Sequence, residues 1–108
     1  MFLSGVSGRE FSTGRIKDLD VKLQTRTAWE KIETILKEVG SSLNSIVKMV
    51  IYLLKTEDYD AYYEQTRQFL KAHCPNLLEN PPAMTLVEAG LYQKEMLVEI
   101  DVTAIVSK

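Results

Sequence analysis

Two carboxylates, Glu99 and Asp101, stand two residues apart in the otherwise apolar run "MLVEIDVTAIV" near the C-terminal end of the sequence. In a strand, residues i and i+2 project from one face, so the two would share a surface. Such a shared face marks either a catalytic site or a sheet surface that happens to be polar. A structural carboxylate paired across an interface would carry the same pattern, and for Asp101 a solvated or interface-paired role is the simpler expectation. The other reactive side chains are weaker candidates. His73 and Cys74 are adjacent, but no Asp or Asn stands at motif distance to orient the imidazole, and the sequence has one Cys and one His. That excludes an internal disulfide and leaves no spaced second pair for zinc. His73 near a helix C-terminus is favoured by the helix dipole alone. Tyr59, Tyr62 and Tyr63 fall at helical spacing, which suits core packing better than a ligand cage.

The elements that must position these groups follow from periodicity. Apolar or small residues at Val21, Thr25, Ala28, Ile32, Ile35, Leu36 and Val39 predict a helix over Val21 to Gly40. Asp18 or Asp20 is placed to accept from the first-turn amides, and Gly40 stands where a left-handed terminator is wanted. A second helix is predicted from Asp58 to Ala72, stopping before Cys74-Pro75, with Tyr59, Tyr62, Tyr63, Thr66, Phe69 and Leu70 on one side. Strands are predicted at Met1 to Val6, Ile46 to Leu54, Ala83 to Ala89 and Met96 to Val106, with a weaker fifth near Arg9 to Ile16. The order strand, strand, helix, strand, helix, strand, strand gives an α+β fold, a sheet with both helices packed on one face.

Composition narrows the class. The chain has 108 residues, 45% hydrophobic and 26% charged, which suits one globular domain over residues 1–108 and argues against disorder. The longest apolar run, Met49 to Leu54, is too short to span a bilayer, and "MFLSGVSGRE" lacks the features of a signal peptide, so a cytoplasmic location is expected. A net charge of −2 with dispersed Lys and Arg offers no stripe for a phosphate backbone, and nucleic-acid binding is not expected. The charges on the first helix alternate in sign, as on a solvated face.

Two helices cover one face of a sheet, so the other face decides the assembly. In the last predicted strand, Met96, Val98, Ile100, Val102, Ala104 and Val106 would lie under the helices. Leu97, Glu99, Asp101, Thr103 and Ile105 would face away. Apolar Leu97 and Ile105 bracketing carboxylates suit burial against another copy, and a homo-oligomer is expected.

In order and spacing, several strings resemble the YjgF/RidA family, also called the L-PSP or imine deaminase family. They are "FLSG" at Phe2 to Gly5, "LQTRTAWEKIETILKEVGSSLNSIVKMVIYL", "DYDAYYEQTRQFL", and "PPAMT" followed by "LVEIDVTAI". The resemblance covers nearly the whole chain. It implies a chorismate-mutase-like α+β fold that forms a homotrimer around a central β-barrel, with helices outside and clefts between subunits. It also implies that the sequence starts at the family's second strand, leaving strand Met1 to Val6 with an open edge.

The activity implied is hydrolysis of reactive enamines and imines, of the 2-iminobutanoate and 2-iminopropanoate type, to keto compounds and ammonia, with no cofactor and no metal. Glu99 takes the place of the family's acid/base Glu. Met84, Thr85, Gly5 and Tyr63 correspond to substrate-contacting positions. The family pattern has Arg where this sequence has Met84, fifteen residues before Glu99. A thioether cannot hold a carboxylate, so an anionic substrate loses an interaction worth ~1.5–3 kcal/mol, or roughly 10- to 100-fold in affinity. Met84 instead suits an uncharged, apolar ligand, and an altered substrate is implied. Two further departures are "SGVS" at Ser4 to Ser7, in place of Ser-Gly-Gln-Ile, and Tyr63 in place of a common Asn. A non-catalytic, small-molecule-binding trimer is the alternative. Some family members are described as translation inhibitors acting as endoribonucleases, a role the acidic balance disfavours here.

Overall fold

A computed structural model describes residues 2–10, 13–16, 19–91 and 93–106. Met1 of the first predicted strand, Phe11 and Ser12 of the weak fifth strand, and the alternative cap Asp18 lie outside the described residues. Four strands, β1 (Phe2–Ser7), β2 (Ile46–Leu53), β3 (Ala83–Glu88) and β4 (Val98–Ala104), form one sheet in the order β1-β4-β2-β3. The strands β1 and β2 both run antiparallel to β4, and β3 runs parallel to β2. Helices α1 (Val21–Glu38) and α2 (Tyr59–His73) cover one face, as the sequence predicts.

Both ends of α1 are closed by local chemistry. The Asp20 carboxylate accepts from the Lys22 amide at 2.7 Å. At the other end Gly40 adopts φ +77°, which lets the Gly40 amide donate to Lys37 O and the Ser41 amide to Leu36 O. Val21, Ala28, Ile32 and Leu36 pack into the core, together with Gln24 and Trp29, whereas Val39 is exposed. Trp29 is fully buried, stacks on Phe69 with ring centroids 5.9 Å apart, and donates Nε1–H to Thr66 Oγ1 at 3.0 Å. This joins α1 to α2.

The structure corrects four expectations. Cys74-Pro75 lies just beyond α2 as expected, but a third helix that the predicted order lacks, α3 (Pro75–Glu79), begins there. Proline suits that position because its missing N–H falls among first-turn donors that have no helical partner. Asn76 Nδ2 of α3 donates to Asn44 Oδ1, tying it to the turn before β2. The proposed fifth strand reduces to a single bridge, Arg9 to Ile16. Of the tyrosines on α2, only Tyr62 is core, while Tyr59 and Tyr63 are exposed and stacked on each other. The last strand is shorter than predicted. Met96 is buried but precedes it, Leu97 packs against the core, and Ile105 and Val106 are exposed beyond its end. Among the described residues no helix is long and apolar enough to cross a membrane.

Candidate functional site

The alternation within β4 holds as predicted. Val98, Ile100, Val102 and Ala104 are buried under the helices, and Glu99, Asp101 and Thr103 stand half-buried on the opposite, open face. Sheet register then decides what joins them. Tyr52 of β2 lies beside Glu99, and Val50 beside Asp101. On the other side Ser7 of β1 pairs with Glu99, and the ladder slips between Leu3 and Val6. The slip makes a bulge at Ser4-Gly5 that bends the backbone toward the two carboxylates.

Four groups converge there. The Gly5 amide donates to Asp101 Oδ1 at 2.7 Å and the Tyr52 hydroxyl to Asp101 Oδ2 at 3.1 Å, so each Asp101 oxygen is held. Glu99 lies against Gly5, close enough that a Cβ built on residue 5 would come within 2.6 Å of Glu99 Oε1. Partial burial pushes the Glu99 carboxyl above its ordinary value of 4.5, and the Asp101 charge pushes the same way. Tyr52 is also raised, first by its hydrogen bond to Asp101 and then by burial and the two carboxylates. Glu99 is therefore the member of the set shifted toward neutral pH, with Asp101 as a fixed neighbour.

Gly5 sits at φ +68°, a conformation that costs an L-residue about 1–2 kcal/mol. Gly5→Ala adds that strain to the clash with Glu99. Chemical denaturation is expected to show a loss of at least ~1–2 kcal/mol, and the variant should lose activity along with the displaced carboxylate.

The remaining predicted site residues divide between the two faces. Thr85 is exposed on the open face, in a row across the sheet with Val50 and Asp101. Met84 pairs with Met49 and Leu86 with Ile51, which puts both on the helix side of the sheet. There Met84 and Tyr63 border a groove of about 370 Å³ whose walls include Trp29, Tyr62, Leu77 and Leu86. Within one chain, then, Met84 and Glu99 lie on opposite faces with β2 between their strands, and the fifteen-residue spacing does not bring them together. Gly5 joins Glu99 as expected, but its amide is already engaged by Asp101.

Sequence reasoning missed Tyr52 and set Asp101 aside. Tyr52 is a polar tip in an apolar strand, and that is its only sequence signal; what it touches depends on the β2/β4 register. Gln24 was also missed. It is buried on α1, donates to Glu95 O at 2.9 Å and accepts from the Leu97 amide at 2.8 Å, fixing the chain as it enters β4 just before Glu99.

Comparison with known proteins bears on the family and the fold. The sequence model of the family described as endoribonuclease L-PSP matches residues 1–106. A RutC family protein of Pyrococcus abyssi is 32% identical over 104 residues, covering 96% of this chain and 76% of that protein. The human protein named 2-iminobutanoate/2-iminopropanoate deaminase is 25% identical over 97% of this chain and 72% of its own length. Among solved structures, E. coli TdcF with bound serine superposes with a TM-score of 0.84 at 27% identity, covering 98% of this chain and 80% of that one.

Proposed function

The chain belongs to the endoribonuclease L-PSP family, the YjgF/RidA family its sequence resembles, and from that premise we propose that it hydrolyses an enamine or imine to a carbonyl compound and ammonia. Glu99 is the group that carries this reading: a carboxylate raised above 4.5, resting against the Gly5 bulge and flanked by an Asp101 whose two oxygens are held. In the reaction, the Glu99 carboxylate takes a proton from water as the water oxygen bonds to the imine carbon, and passes that proton to the imine nitrogen to give the neutral carbinolamine. The Glu99 carboxylate then takes the carbinolamine hydroxyl proton and delivers it to nitrogen as the C–N bond breaks, releasing ammonia and the carbonyl product. An enamine enters by protonation at carbon. The naming of a human relative as an imine deaminase and the serine bound to TdcF support a small polar substrate chemistry for the family.

A homotrimer of single-domain subunits completes the proposal. Strand β3 is an exposed sheet edge carrying Met84 at 52% exposure and Leu86 at 41%, features that suit a covering partner. Because Met84 and Glu99 lie on opposite faces of one sheet, a cleft containing both needs the groove of one subunit against the open face of the next. A second reading, a small-molecule-binding trimer without chemistry, rests on Met84, which offers no charge to a carboxylate.

A coupled assay separates the two. With 2-aminoacrylate generated in situ, wild type is expected to accelerate keto-acid release and Glu99→Ala to abolish the acceleration. Met84→Arg should improve the use of this anionic substrate by roughly 10- to 100-fold. Wild type without acceleration, with Met84→Arg gaining it, would move the chain to the binding class.

A further inference from the structure

The groove on the helix side of the sheet is chemically unlike the Glu99 face. It lies between α2, α3 and β3, holds about 370 Å³, and is walled by residues such as Trp29, Tyr62, Leu70, Leu77, Met84 and Leu86. Among the described residues, no charged side chain lines it. Its size falls within the range that small ligands use, and its lining offers hydrophobic contact with little that would hold an ion. One polar feature breaks the pattern. Tyr62 is 3% exposed and forms part of the wall, yet its hydroxyl makes no well-formed hydrogen bond. Nearby Thr66 already uses its oxygen to accept from Trp29 Nε1. A buried hydroxyl whose proton has no well-placed acceptor is costly, and a ligand acceptor would relieve that cost.

We propose that this groove binds an uncharged ligand made of an aryl or branched alkyl group and one acceptor, a ketone oxygen or imine nitrogen, which takes the Tyr62 hydroxyl proton in a hydrogen bond. That this ligand is also the substrate rests on the deaminase reading, and it makes the substrate an imine without a carboxylate. Burial raises the Tyr62 phenol well above its ordinary value near 10, with a hydrogen-bond interaction with Thr66 acting the other way, so the group is a donor throughout the neutral range. Met84 fits the same chemistry, since a thioether packs against aryl and alkyl groups where arginine would demand an anion.

Methionine methyl NMR reads the groove directly. Of the four methionines, Met49 and Met84 line it, and Met96 is buried elsewhere. Phenylacetone, an uncharged ketone, is expected to shift the Met49 and Met84 methyls saturably and leave Met96 unmoved, while pyruvate shifts neither groove methyl. Tyr62→Phe should weaken phenylacetone about fivefold, the worth of one net hydrogen bond, and leave propylbenzene unchanged. The proposal is overturned if phenylacetone moves no groove methyl, if pyruvate saturates the groove more tightly, or if Tyr62→Phe weakens both aromatic probes alike. It is also overturned if protein concentration alone moves both Met49 and Met84 and phenylacetone then shifts neither, which would put a second copy in the groove in place of a ligand. Hydrolysis of 2-aminoacrylate by a protein whose groove ignores phenylacetone removes this substrate class and leaves the deaminase reading standing. Groove binding without hydrolysis of any imine does the reverse.

Discussion

Replacing Glu99 with glutamine is expected to lower kcat/KM for imine hydrolysis by roughly 10²- to 10⁴-fold, the usual worth of a positioned acid/base group. The amide keeps the shape of the side chain but cannot accept the proton of water. In wild type, the rate should rise with pH along a limb whose midpoint lies above 4.5, because burial and Asp101 both raise the Glu99 carboxyl. Glu99→Gln should lose that limb. Stability should respond in the opposite sense. A carboxyl raised in the folded state favours folding while protonated. That contribution is complete below the unfolded-state value and is lost as pH rises through the folded one. Glu99→Gln is therefore expected to melt higher than wild type at pH 7, with the advantage vanishing toward pH 4. Gain of stability with loss of activity distinguishes a functional carboxylate from a structural one, whose removal should cost stability at pH 7.

Trp29→Ala should be the most damaging single change to the fold. The side chain is fully buried, stacks on Phe69 and supplies the proton that Thr66 accepts between the two long helices. Truncation removes a large apolar volume and leaves a buried hydroxyl without its donor, for an expected loss of about 3–5 kcal/mol. Single domains have stabilities of about 5–15 kcal/mol, so the denaturation midpoint should fall sharply, and a substantial unfolded fraction is expected at 37 °C. Trp29→Phe keeps the stacking and loses the hydrogen bond, and should cost clearly less. If the two variants unfold at the same denaturant concentration, the stacking on Phe69 contributes little, and the indole's extra bulk and the Trp29–Thr66 bond account for the loss. Trp29 is also a wall of the apolar groove, so the helix pair and the groove depend on one side chain.

What the sequence revealed and what it hid divide along a physical line. Features set within one element were legible. The Asp20 cap, the Gly40 terminator and the alternation of Glu99 and Asp101 against Val98, Ile100 and Val102 each follow from a single period or a single local hydrogen bond. Cys74-Pro75 marked the end of α2 correctly, but the short helix after it was missed, because proline both follows one helix and suits the first turn of the next. Features set between elements were hidden. Tyr52 reaches Asp101, and Gly5 reaches Asp101 and Glu99, only through the β2/β4 register and the bulge in β1. The family resemblance paired Met84 with Glu99 in a cleft between subunits, and spacing along the chain does not specify which face either occupies. The parallel pairing of β3 with β2 places Met84 beside Met49, and with it on the helix side.

That separation of faces makes subunit mixing the most direct test of the central claim, that Glu99 works in a cleft built from two copies. Glu99→Gln removes the open-face half, and Met84→Asp, by placing a charge in the apolar groove, removes the other half. Each variant alone is expected to be inactive in imine hydrolysis. Unfolded together and refolded at equal amounts, the two should regain activity to roughly a quarter of wild type, the share of clefts that receive both intact halves. A mixture as inactive as its components would contradict the composite cleft and return the chemistry to a single chain.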